Sequence, residues 1–489
     1  MSLSNVHPHR RSLPATVGWH KSVITSIGLV LAVLAGIMIS TLSMGVLADR
    51  QFGIFLIFSL LLALTGIALA QSVDRDNASH LTQLFLMAFV IRIVMTLILY
   101  QHFMHINGYP FVGSWGADDQ GYHYRATRLA EQWAAGNWYF PSHDSAAYDS
   151  LTALFYFTFG SVPLVVRALN CFAGAVSTVF TASLAHYIFG ARIGQKAGRL
   201  VAFMPDLLLF SAIQYRDSLL TAMILYLIWA FRWNGPALRS YWHLLISLVV
   251  FFGFLFMYRN AAPIMLGVLG TTVVFQMWSP DVKQSSSRVK YSVLLLSCVL
   301  LGIVLVQIVD TLYAQSIWDV AWRIESSQQH ASRILAESPT DSLSALLYTD
   351  QGGVQGILTA PVRFLFPLIL PIPTPSFWGS LELDAVLLSM GSLVWYIMLP
   401  CAGYGLIWAL KHDFKKAFPI YAFPFFSLVG LFLMYYSGSI RYRTQFMPLL
   451  WILVALGLDR LSHWHMEYML MLISLGIVFA GYIAFKGSL

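Results

Sequence analysis

Apolar residues run through this chain in stretches about as long as a lipid bilayer is thick, broken by short polar clusters. Runs at 22–47, 53–71 and 82–103 come first, then 162–189, 195–213, 217–232, 241–257, 261–278 and 291–313. After a less regular region come 384–409, 417–436, 444–459 and 467–486. A helix of roughly twenty apolar residues satisfies its own backbone and spans the hydrocarbon core, so each run predicts a crossing. The expected fold class is an all-α polytopic membrane protein with about 13 transmembrane helices and amphipathic helices in its outer-face loops. The first run follows Arg10, Arg11 and Lys21; it is too long for a signal-peptide core and lacks a small-residue cleavage site, so it is read as a span.

Basic residues set the orientation. Arg192, Lys196 and Arg199 form one cluster, Arg232 and Arg239 a second, Lys283, Arg288 and Lys290 a third, and Lys411, Lys415 and Lys416 a fourth. With a cytoplasmic N-terminus, alternating spans put the first three on the cytoplasmic side, as the positive-inside rule requires. The fourth joins them only if the apolar segment 357–373 does not cross. Pro361, Pro367, Pro371, Pro373 and Arg363 interrupt that segment, so it reads as re-entrant or interfacial. The long loops 104–161 and 314–383 then share the outer face.

One polar stretch stands out, residues 114–136, SWGADDQGYHYRATRLAEQWAAG. From Asp118 onward, Asp118, Tyr122, Arg125, Leu129 and Trp133 recur at helical steps, which predicts that they stack on one side. Ala126 and Ala130 widen the stripe, so the helix is suited to lie flat at a bilayer surface. Asp118 and Asp119 sit at its positive N-terminal end, where an ionised carboxylate is favoured. On helix physics alone, the same pair also reads as an N-cap and a first-turn acid.

Composition sharpens this picture. The chain has 489 residues, 58% of them hydrophobic and only 10% charged, which excludes an ordinary soluble fold. Its net charge of +7 is scattered between apolar runs, which argues against nucleic-acid binding. Cys171, Cys298 and Cys401 all lie inside apolar runs and offer neither a disulfide framework nor metal spacing.

The polar residues that escape the positive-inside rule gather on the outer face: Asp118, Asp119, His123, Arg125, Arg216, Asp217, Arg259, Arg441 and Arg443. Arginines there oppose the topology bias and point to an anion; contact with lipid phosphate is the plainer alternative for any one of them. Arg441 and Arg443, two residues apart in SGSIRYR at the mouth of a span, have the spacing of a paired clamp.

With these residues in view, the chain resembles the GT-C class of membrane glycosyltransferases. It is most similar to the polyprenyl-phosphate-sugar-dependent group that includes the protein O-mannosyltransferases and lipid A aminoarabinose transferases. The resemblance rests on three places: Asp118-Asp119-Gln120-Gly121-Tyr122 followed by Ala126, residues 189–224 with Pro205 and Asp217, and RYRTQFMPLLWILVALGL at 441–458. Two spans precede the one leading into the acidic loop, where the family has that loop after its first span, and Asp119 stands where Glu is common.

The resemblance implies inverting transfer of a sugar from a polyprenyl-phosphate donor to a glycan, lipid or protein acceptor on the outer face of a bacterial inner membrane. Asp118 matches the family's first acid and takes the role of general base. Asp119 is the second catalytic acid, positioning the acceptor or holding a divalent cation. The leaving phosphate needs positive charge, for which Arg441 and Arg443 are first candidates and Arg216 and Arg259 alternates. Tyr122, His123 and Asp217 are candidate contacts to sugar or acceptor; Asp217 reads equally as a helix-start acid.

The expected organisation is N-terminal transmembrane helices at 1–103, the acidic outer loop at 104–161, a transmembrane core at 162–290 and a C-terminal module at 291–489. Within that last module the outer loop 314–383, with Trp318, Trp322, Arg333 and Trp378, is expected to shape acceptor choice. Two other readings stay open. An O-antigen-type lipid-linked polysaccharide polymerase or ligase would depend on the arginines more than on the aspartates. A transporter or flippase of lipid-linked sugars would need polar sites at mid-membrane depth, for which Arg92 and Asp206 are candidates.

Overall fold

A computed structural model of the protein describes residues 50–112, 117–141, 145–258, 261–277, 383–433 and 443–461. The predicted spans 22–47, 291–313 and 467–486, the segment 357–373, the cluster Lys283–Lys290, nearly all of the loop 314–383, and both Arg259 and Arg441 lie outside the described residues.

All regular structure among the described residues is helical. In chain order the helices are α1 (Arg50–Val73), α2 (Ala78–Asn107), α3 (Ala117–Ala134), α4 (Ala146–Phe159), α5 (Pro163–Phe189), α6 (Ala191–Phe203) and α7 (Pro205–Ala212). They continue with α8 (Asp217–Phe231), α9 (Tyr241–Met257), α10 (Ala262–Met277), α11 (Leu383–His412), α12 (Phe414–Leu433) and α13 (Met447–Arg460). Four of them, α1, α2, α5 and α11, are long and apolar enough to cross a membrane on their own. α5 is the axis, with 89% of its apolar window buried, whereas α1 at the periphery buries 28%.

The polar residues of the bundle gather at two ends. At one end Arg192 and Lys196 both reach Asp459, at 2.9 and 2.8 Å, and His186 meets Asp74 at 3.1 Å. Arg232 lies over Tyr187 and Trp229, and Arg460 over Trp408. Three of the four predicted basic clusters thus share this end. α10 finishes there, with Gln276 donating to the Phe231 carbonyl, while α11 begins at the opposite end, where the Leu383 N–H reaches His102. That parity is the one required if a single span separates them.

One predicted span is broken. The run 195–213 is two helices, α6 and α7, because Pro205 has no N–H to give the Val201 carbonyl and its ring disfavours a continuous helix. Pro205 instead opens α7, where its fixed φ fits the first turn. The Val201 and Ala202 carbonyls at the break accept from Arg92, Nη2 at 3.2 Å and Nη1 at 3.4 Å. The helix before the break is amphipathic, with Arg192, Lys196 and Arg199 on it, whereas the one after it is mostly apolar.

α11 and α13 cross closely because glycines face backbone across the contact. A Cβ on Gly405 would stand 2.0 Å from the Leu453 carbonyl, and one on Gly457 would stand 2.0 Å from the Cys401 carbonyl. This crossing seats the start of α13, which carries Arg443 and Gln445 just ahead of it, against the core.

Candidate active site

α3 and α4 are too short or too polar to cross and pack on each other at the end of the bundle opposite the basic clusters. The buried side of α3 is Asp119, Tyr122, Ala126, Leu129, Ala130 and Trp133. Tyr122, Ala126, Leu129, Ala130 and Trp133 of the expected stripe are on this side; Asp118 and Arg125 are the two that are not. At 100° per residue, Asp119, Ala126 and Trp133 recur every seven residues on the core side, so Asp118 and Arg125 fall to its exposed flank. The twin aspartates therefore have different environments, one exposed and one buried.

Asp119 is fully buried, and both carboxylate oxygens accept backbone N–H groups: Oδ2 from Val112 at 3.0 Å and Oδ1 from Gln120 at 2.8 Å. Burial pushes its carboxyl up to about 6, against the pull of the Arg167 guanidinium and these two N–H groups. Arg167, one turn into α5, is fully buried as well; its Nη2 donates to the Pro110 carbonyl, and its guanidinium lies over the Tyr100 and Phe111 rings. The two residues hold chain on both sides of 113–116.

His123, also on α3, meets Tyr156 Oη through Nδ1 at 2.8 Å, and Tyr156 donates onward to Gln214 Oε1 at 3.2 Å. With that hydroxyl hydrogen committed, the imidazole donates from Nδ1. Burial first and then Arg167 hold its pKa down to about 4, so His123 is neutral near pH 7. Asn170, three residues beyond Arg167, donates to the Ile213 and Tyr215 carbonyls at 2.8 Å each and so pins the turn that carries Gln214 and Arg216. On the exposed flank of α3, Arg125 pairs with Asp149 of α4 at 2.8 Å and reaches Ser145 at 3.1 Å.

At the same end, Asp217 opens α8 and accepts from Gln445 Nε2 at 3.0 Å. Arg216 gives Nη1 to the Met257 carbonyl at 3.2 Å. Arg443 is fully buried; its Nη2 lies 3.4 Å from Ser392 Oγ, and it sits in the field of the buried Asp206. Asp206 is a helix-start acid whose Oδ1 accepts the Leu207 N–H at 2.9 Å. Arg92 and Asp206, the two mid-depth polar candidates, thus both serve the break between α6 and α7.

Asp119 and His123, one turn apart on α3, both lie in the field of Arg167, with Asp118 next to Asp119 in the chain. Asp217 and Arg443 belong to a second polar group around α8, α11 and the start of α13. Tyr122, expected at sugar or acceptor, is buried edge-on against Tyr148 at 4.9 Å and Tyr215 at 6.4 Å, where it packs the hairpin to the core. Arg443, one half of the expected clamp, is turned into the bundle, where its guanidinium finds Asp206 and Ser392. Arg167, Tyr156, Gln214 and Gln445 were not singled out by the sequence. For Arg167 the signal was present: it is the only Lys, Arg, Asp or Glu in the 27 residues of α5. Among the described residues no three His, Cys, Asp or Glu side chains come together as metal ligands.

No protein-family model and no curated protein matches the chain. Among solved structures, the chain is similar to ArnT from Cupriavidus metallidurans bound to undecaprenyl phosphate, with 15% identity and a TM-score of 0.46 over 80% of this chain and 62% of that one. It is also similar to the archaeal oligosaccharyltransferase AglB from Archaeoglobus fulgidus, in complex with an inhibitory peptide and a dolichol-phosphate. That match has 15% identity and a TM-score of 0.45, over 78% of this chain and 50% of that one. The chain thus spans about three fifths of the first protein and half of the second.

Proposed function

We propose that this chain is a membrane glycosyltransferase that moves a sugar from a polyprenyl-phosphate donor to an acceptor at the acidic end of its helix bundle. The acceptor hydroxyl or amine loses its proton to Asp118 and attacks the anomeric carbon; the lipid phosphate leaves from the opposite side, and the configuration inverts. The observation that carries this reading is the split pair on α3. Asp118 is exposed in the first turn of a helix lying across the bundle's end, and the buried, hydrogen-bonded Asp119 beside it fixes that turn.

Guanidinium groups at the same end supply the charge that a departing phosphate needs. Arg216 is half-buried there, Arg443 is sequestered, and Arg441 and Arg259 complete the proposed donor-phosphate set. His123 is neutral and held by Tyr156, which suits it to hydrogen-bond sugar or acceptor hydroxyls. Asp217 braces the turn beside Arg216. The acceptor is a glycan, lipid or protein at the outer face of the bacterial inner membrane, with the N-terminus in the cytoplasm.

The test is turnover in detergent, without any ion gradient, of undecaprenyl phosphate mannose and undecaprenyl phosphate aminoarabinose in the presence of a cell-envelope extract that supplies glycan, lipid and protein acceptors, followed by release of undecaprenyl phosphate. The reading requires release from at least one donor. A transporter or flippase releases none, and that outcome would refute enzymatic transfer.

A further inference from the structure

Arg167 is the charge that neither packing nor the proposed chemistry has so far used. It is fully buried, and its Nε and Nη1 have no hydrogen-bond partner among the described residues. Burying a guanidinium with two donors unmet is unfavourable, and an apolar side chain of similar volume would fill the space more stably. A role in packing alone therefore accounts poorly for an arginine here.

Its surroundings point elsewhere. Nη2 holds the Pro110 carbonyl, two residues before Val112, whose N–H is bonded to Asp119 Oδ2 at 3.0 Å. The positive field of Arg167 favours the ionised Asp119 that accepts this bond. One side chain thus acts on both strands of chain that flank 113–116, and Asp118 is the next residue along.

We propose that Arg167 is a positioning residue: it holds the approach to α3 through Pro110 and the first turn of α3 through the charge on Asp119, so that the Asp118 carboxylate is presented in one place. This inference rests on the sugar-transfer reading. A displacement of about 1 Å at a reacting group costs on the order of 100-fold in rate, which sets the expected size of the effect.

The experiment compares wild type, Arg167→Met and Arg167→Lys in turnover of the undecaprenyl phosphate sugars across the pH range. The groups around Asp119 and Arg167 are Asp118 and His123 of α3, Tyr156 of α4, Tyr100 of α2 and Cys171 of α5. Arg167→Met is expected to lower kcat about 100-fold, with KM for the lipid changed by less than about threefold. Its acidic limb moves to higher pH, because Asp119 loses the positive neighbour that favours its ionised form. Arg167→Lys keeps the charge, leaves the limb in place and lowers kcat by about tenfold through a looser hold on Pro110. An unchanged kcat in the Met variant, or a limb that moves equally in both variants, would overturn the proposal. Should the Met variant fail to accumulate, the Lys variant decides: a lowered kcat with an unmoved limb supports the role, and full kcat or a moved limb refutes it. A wild type that turns over no donor removes the sugar-transfer reading first, and this inference with it.

Discussion

Gln445 donates from Nε2 to Oδ1 of Asp217 at 3.0 Å, joining the turn before α13 to the first residue of α8 across more than two hundred residues of sequence. Both side chains are buried. Two stretches that looked like independent polar loop ends are thus one packed junction, with Arg216 adjoining it through Asp217.

That junction has a measurable strength. Asp217→Ala leaves the Gln445 amide buried without this acceptor, a loss on the order of 1–3 kcal/mol, whereas Asp217→Asn retains a carbonyl oxygen and loses less. Thermal unfolding of the detergent-solubilised protein should rank wild type above Asp217→Asn and Asp217→Asn above Asp217→Ala. Equal midpoints for all three would contradict the junction.

The crossing of α11 and α13 is expected to be intolerant of any side chain at its glycines. Gly405→Ala and Gly457→Ala each set a methyl against a carbonyl at 2.0 Å, so the helices must separate. Overpacking of this kind costs about 1–3 kcal/mol. Gly403→Ala, on the same helix but with open space at its Cβ, serves as the control and should leave the unfolding midpoint unchanged.

Asp119 gives the protein a pH signature. Its carboxyl is raised to about 6 in the folded state by burial, so the folded chain holds the proton more tightly than the unfolded chain does. Its contribution to stability is therefore fully present at acid pH and declines as pH rises from the ordinary carboxylate range through about 6. Asp119→Asn removes that dependence. The midpoint of the variant minus that of wild type should increase between about pH 5 and pH 8. A flat difference would show that Asp119 binds its proton equally in the folded and unfolded chain, and a falling one that folding favours its ionised form; either would contradict the effect of burial.

How much of this was readable in the sequence depends on what carried the information. Single-helix periodicity and hydropathy are local, and they place α5 and α9 within a residue: 162–189 against Pro163–Phe189 and 241–257 against Tyr241–Met257. The break at Pro205 falls inside a run read as one span, and the carbonyls it frees are met by Arg92, more than a hundred residues away. The acidic helix and most of its buried stripe were legible, but which of the twin aspartates faces the core was not. Stacking by three- and four-residue steps from Asp118 is nearly as good a stripe as stacking from Asp119, and only the tertiary partners Val112 and Arg167 distinguish them. The burial of Arg443 was not legible, because it depends on Asp206 and Ser392, which lie in other helices.

Removal of the acceptor's proton by Asp118 is tested by one substitution. Asp118→Asn alters an exposed side chain at the start of α3 and leaves the bonds of Asp119 in place, so folding and retention of undecaprenyl phosphate sugar should match wild type. Sugar transfer by the purified variant should fall by about 100- to 10,000-fold, the range expected when a general base is lost. A variant that binds the lipid and transfers its sugar at the wild-type rate would contradict the account.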